Sequence, residues 1–98
     1  MITEYDRRQV ERMKQQLDRF DRDELDLSGL IGDLEFLLSA IESVPQDWKK
    51  DVYKEIGVFE EVYAVFLDRG HEELDIQSRN LVCRAVENLK DKLTEISV

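Results

Sequence analysis

One proline, one cysteine, one histidine and four glycines among 98 residues leave little from which to build tight turns, disulfides or metal sites. Cys83 has no partner for an internal disulfide, which fits a reducing compartment. His71 has no second His or Cys at ligand spacing and reads as a solvated side chain after Gly70. With one His, the Glu-x-x-His pairs of a di-iron bundle cannot be completed. There is no Gly-rich phosphate loop, no GxSxG, no HExxH and no Cys/His dyad. No repeat of solenoid length is present either. The longest unbroken apolar run, Val62 to Leu67, is far short of the ~20 residues that span a bilayer, and the opening MITEYDRRQVER has no apolar h-region. These absences predict a cytoplasmic protein that is not an enzyme, binds no cofactor or metal and does not enter a membrane.

Positive charge is scarce as well. Fourteen basic residues against 23 acidic ones give a net charge of −9, which repels phosphate backbones and predicts no nucleic-acid partner. Residues 26–70 hold 4 basic and 10 acidic side chains, a net −6, and Asp26 to Val44 contains Asp26, Asp33, Glu35 and Glu42 with no Lys or Arg. Asp21, Asp23 and Asp26 ahead of Ser28 and Gly29 invite comparison with a calcium loop. The pattern fails: Leu25 occupies the fifth ligand position, Asp26 the obligatory glycine position and Gly32 the twelfth. A polar linker supplying a helix N-cap through Asp26 or Ser28 is the reading that remains.

What the chain has is apolar side chains at helical spacing. Thr3 and Asp6 resemble a capping box, and Val10, Met13, Leu17 and Phe20 follow at three and four residues, predicting a helix over 4–20. Its stripe is narrow and its other face interleaves charge (Glu4 with Arg8, Lys14 with Asp18, Asp18 with Arg22), which predicts a peripheral, loosely held helix. A second helix, 27–43, carries Leu30, Leu34, Leu37, Leu38 and Ile41 on one face. Gly29, Gly32, Phe36, Ala40 and Ser43 lie on the other, where either the first or fourth helix packs or a partner docks. Val44-Pro45 ends it and starts the next, since the residue before proline leaves the helical region and proline suits a first turn. The third helix, 46–69, sets Trp48, Val52, Ile56, Phe59, Val62, Tyr63, Phe66 and Leu67 on one face, and its far face carries Val58, Ala64 and Val65 beside Glu61 and Asp68. Gly57 inside it implies a kink or a close approach, and Gly70 a left-handed cap. The fourth, 72–97, aligns Leu74, Ser78, Val82, Ala85, Leu89, Leu93 and Ile96, with Glu72, Glu73 and Asp75 complementing the dipole of its first turn. The short connections predict one all-α domain, an antiparallel bundle of about four helices, with a core of Leu30, Leu34, Leu37, Ile41, Phe59, Val62, Phe66, Val82, Leu89 and Leu93.

The central hairpin, LEFLLSAIESVPQDW followed by IGVFEEVYAVFLDRG, resembles the core of small acidic all-helical immunity proteins. These stand beside toxins in bacterial contact-dependent growth inhibition and other polymorphic toxin systems. In size, acidity and helix count the chain is also similar to the colicin-nuclease immunity proteins. It departs from them in having its only proline between Val44 and Gln46, and none of their binding residues is carried over. The resemblance implies a protein that neutralises a cognate toxin domain by stoichiometric binding, and an acidic face would steer capture of a basic domain such as a nuclease. The candidate partner-binding residues are Asp33, Glu35, Phe36, Glu42, Glu61, Val65 and Asp68, on a protein that is a monomer or weak dimer when free. The alternative is a helical scaffold or adaptor subunit that acts through homo- or hetero-oligomerisation of its second apolar stripes.

Overall fold

The computed structural model describes residues 2–70 and 74–97. They form four helices, α1 Glu4–Asp21, α2 Leu27–Ser39, α3 Gln46–Asp68 and α4 Ile76–Ser97, with no strand among the described residues, as the 3.6-residue period predicts. The helices close into a ring: α1 packs on α2 and α4, α3 packs on α2 and α4, and the diagonal pairs do not meet. Gln16 bonds Asp33 while Asp6 bonds Ser43, so α1 and α2 run antiparallel; Asp51 pairs with Lys92 while Glu55 bonds Asn88, so α3 and α4 do too. The radius of gyration, 13.6 Å, matches the ~13 Å of a compact chain of this length.

Nine of the ten expected core residues are buried, joined by Leu38, Val44, Trp48, Val52, Ile56, Ala85 and Val86. Phe66 is the exception. It is half-buried against Tyr63 (ring centroids 6.2 Å apart), both lining an open depression with Leu27 at the start of α2, and Leu67 is 40% exposed. Trp48 is fixed in the core by donating its indole N–H to the Lys92 carbonyl at 3.0 Å, tying the start of α3 to the end of α4.

The stripe of the first helix, narrow as it is, lies inside the bundle. Val10, Met13 and Leu17 are fully buried, since a narrow stripe suffices to fill the groove between α2 and α4. Its expected Glu4–Arg8 pair forms at 3.6 Å, whereas Arg22 turns to Glu24 and Asp18 faces Lys90 of α4. Thr3 caps it by accepting the Asp6 amide. At its other end Asp23 adopts φ 60°, and the amides of Asp23 and Glu24 bond back to Phe20 and Arg19, the 5→2 and 6→1 pair of a Schellman motif with aspartate where glycine is usual.

Helix α2 stops at Ser39, four residues before the expected Ser43, and the reason is Asp6. In a longer helix the amides of Glu42 and Ser43 would bond the carbonyls of Leu38 and Ser39. Instead both donate to the Asp6 carboxylate, and Ile41 closes the helix by bonding Leu38. The α3 boundary behaves as proline dictates: Pro45 is the N-cap at φ −60° and Gln46 the first helical residue. Gly70, at φ 84°, follows the Arg69 cap in the left-handed region. No neighbour approaches Gly57, where an added Cβ meets nothing within 4 Å. Helix α4 begins at Ile76, four residues later than expected, where the Asp75 carboxylate takes the Ser78 amide at 2.7 Å. His71, Glu72 and Glu73 lie outside the described residues.

Candidate functional site

The outer face of α2 stays open. Neither α1 nor α4 packs over the Gly32–Phe36 stripe: α1 sits on its flank, where Gln16 donates to Asp33, and a Cβ on Gly32 would meet nothing within 4 Å. Gly29 differs, for there a Cβ would press on Leu25 Cδ1 at 2.8 Å and on the capping oxygen of Asp26 at 3.0 Å. Phe36 is 74% exposed and borders an open depression of about 310 Å³ together with Arg12, Gln15, Gln16, Asp33 and Leu37.

The seven candidate residues do not form one patch. Asp33 and Phe36 meet at the α1 flank of α2. Glu35 and Glu42 are exposed, the first on the outer surface of α2 and the second in the α2–α3 connection, where its amide, but not its carboxylate, is held by Asp6. Glu61, Val65 and Asp68 are exposed on the second half of α3. Val65 belongs to the α4 side, because positions 51, 55, 58, 62 and 65 share one flank. From that flank Asp51 and Glu55 reach Lys92 and Asn88. The two apolar anchors, Phe36 and Val65, are therefore separated by the width of α2 and α3. Among the described residues, none of Glu35, Glu42, Glu61 and Asp68 joins an ion pair.

The carboxylate with the most altered environment is one whose role sequence reasoning missed. Asp6 is 2% exposed. Burial works to raise its pKa, but bonds from the Ser43 hydroxyl and amide, from the Glu42 amide and from Thr3 outweigh it and hold the carboxyl below its ordinary value. Its position in a capping box is what the sequence showed. Aspartate is one methylene shorter than the glutamate of that motif. Here the Thr3 amide donates to the Ser43 hydroxyl, and the Asp6 carboxylate is left to bind the connection between α2 and α3. Lys90 is shifted up by its bond to Asp21, and Asp75 down by the Ser78 amide; both serve helix ends and junctions. Among the described residues no group of three or more His, Cys, Asp or Glu could hold a metal ion, and no helix is long and apolar enough to cross a membrane.

No family model matches the chain, and no characterised protein or solved structure is significantly similar to it.

Proposed function

We propose that the protein is a stoichiometric inhibitor, an immunity protein, that binds one basic toxin domain through the open face of α2. The observation that carries this reading is Phe36: a large aromatic, 74% exposed, on a helix that displays Asp33 and Glu35 and has no Lys or Arg. An exposed aromatic side chain can anchor a partner as a binding hot spot, and here Asp33 and Glu35 stand beside it on α2 while Arg12 of α1 lines the same depression. Glu35 and Glu42, which join no ion pair among the described residues, would steer a basic partner toward it, and the open surface over Gly32 lets that partner's backbone come close. The resemblance of the central hairpin to immunity proteins of polymorphic toxin systems supports the same reading.

The test uses the toxin-like reading frame expected beside this one. Co-expression should protect cells from that toxin, and the purified pair should form a complex of fixed stoichiometry. Phe36→Ala should weaken the complex by ~30-fold or more, the size of a hot-spot loss. Glu35→Lys with Glu42→Lys should slow association and flatten its dependence on salt. If the neighbouring product neither binds nor is neutralised, the reading fails.

A further inference from the structure

The seam between α3 and α4 carries apolar surface that the fold leaves uncovered. Val65 is 42% exposed and Leu81 50% exposed, with Val58 half-buried beside them. Their relative placement follows from the register of the two helices. Asp51 pairs with Lys92 at 2.9 Å and Glu55 bonds Asn88 at 3.2 Å, so four residues forward on α3 match four back on α4. Continued one more heptad, that register sets Leu81 level with Val62, between Val58 and Val65. Valines and leucine thus form one strip along the seam.

The borders of the strip carry charges in complementary order. On α3, Lys54, Glu61 and Asp68 recur every seven residues, each three or four positions from a strip valine; on α4, Gln77, Arg84 and Asp91 recur every seven beside Leu81. All six are exposed. The same register sets Lys54 within two residues, ~3 Å along the axis, of Asp91, which lines one depression with it, and Glu61 within the same offset of Arg84. Neither pair closes within the chain among the described residues, since the ion pairs nearby join Lys92 to Asp51 and Glu95.

The geometry points to a second copy of this chain as the occupant of the seam. A twofold axis laid along the strip, parallel to the helices, sets the α3 border of one copy against the α4 border of the other at the same height. Lys54 then meets Asp91 of the second copy and Glu61 meets its Arg84. Symmetry makes each contact twice, around a centre of Val58, Val65 and Leu81 from both chains. Two chains of net charge −9 repel at a distance, so association needs a surface with local complementarity, and this one has it. The interface is independent of the inhibitor reading and leaves Phe36 and Glu35, on α2, uncovered.

Sedimentation equilibrium at ~0.15 M salt tests it, where long-range repulsion is screened. The wild-type mass should rise with concentration from 11.6 kDa toward twice that value. Glu61→Arg and Arg84→Glu should each stay monomeric where the wild type dimerises, because each sets like charges opposite one another across the twofold. Mixed in equal amounts they should associate at least ~tenfold more tightly than either alone, since every contact then joins opposite signs. A pair closed within one chain would give no such rescue. Leu81→Asp, at a half-exposed position, should abolish association while circular dichroism stays that of the wild type. A wild-type monomer at ~1 mM, charge variants that associate no better mixed than apart, or a folded Leu81→Asp chain that dimerises normally would each overturn the proposal.

Discussion

Replacing Asp6 by alanine removes the acceptor of the Glu42 amide (3.2 Å), the Ser43 amide (2.6 Å) and the Ser43 hydroxyl, while Thr3 still caps α1. Hydrogen bonds to an ionised group contribute ~1.5–3 kcal/mol each, and a buried donor left unpaired costs ~1–3 kcal/mol. Water reaches the exposed Glu42, so the larger figures apply to the half-buried Ser43. The expected loss is ~2–4 kcal/mol, which in a domain of this size lowers Tm by ~10–25 °C. Urea and thermal unfolding followed by far-UV circular dichroism would measure it. Acidity supplies a second readout. The folded pKa of Asp6 lies below the ordinary 3.8, so between the two values the unfolded chain binds more protons. The contribution of Asp6 is therefore complete above 3.8 and is lost as pH falls through the folded pKa. Asp6→Asn, which cannot ionise, should show a flatter stability curve through that window. An Asp6→Ala chain within ~0.5 kcal/mol of the wild type, or superposable acid curves for wild type and Asp6→Asn, would refute the account of why α2 ends where it does.

Leu34→Ala should cost ~2–5 kcal/mol in urea unfolding because the side chain is fully buried. Phe36→Ala, two residues on, should change stability by less than ~0.5 kcal/mol while weakening partner binding, which separates fold from function at adjacent positions. Gly57→Ala should raise stability by ~0.5–1 kcal/mol, since the helix gains propensity and a Cβ meets open space; a loss would mean that something does approach there. Asp23→Gly should stabilise by ~0.5–1 kcal/mol by relieving a left-handed residue at φ 60°, measured as a rise in Tm.

Apolar period, proline chemistry and caps are local, and so the residues alone carry the helix count, the buried faces of α2 and α4, that of α3 apart from Phe66 and Leu67, the starts of α1, α2 and α3, and the glycine cap after α3. Leu30, Leu34 and Leu37 could face only one way once α2 formed, and Pro45 could begin a helix but not continue one. What depends on a distant partner was set only when the helices packed. Asp6 ends α2 across 36 and 37 residues of chain, a contact no local spacing encodes. The narrow stripe of α1 became fully buried because two other helices flank it. The candidate surface divided for the same reason. Acidic and aromatic positions on α2 and α3 were legible, but which flank each occupies was fixed by the order of helices around the ring, which left Phe36 at the α1 side and set Val65 on the α3–α4 seam.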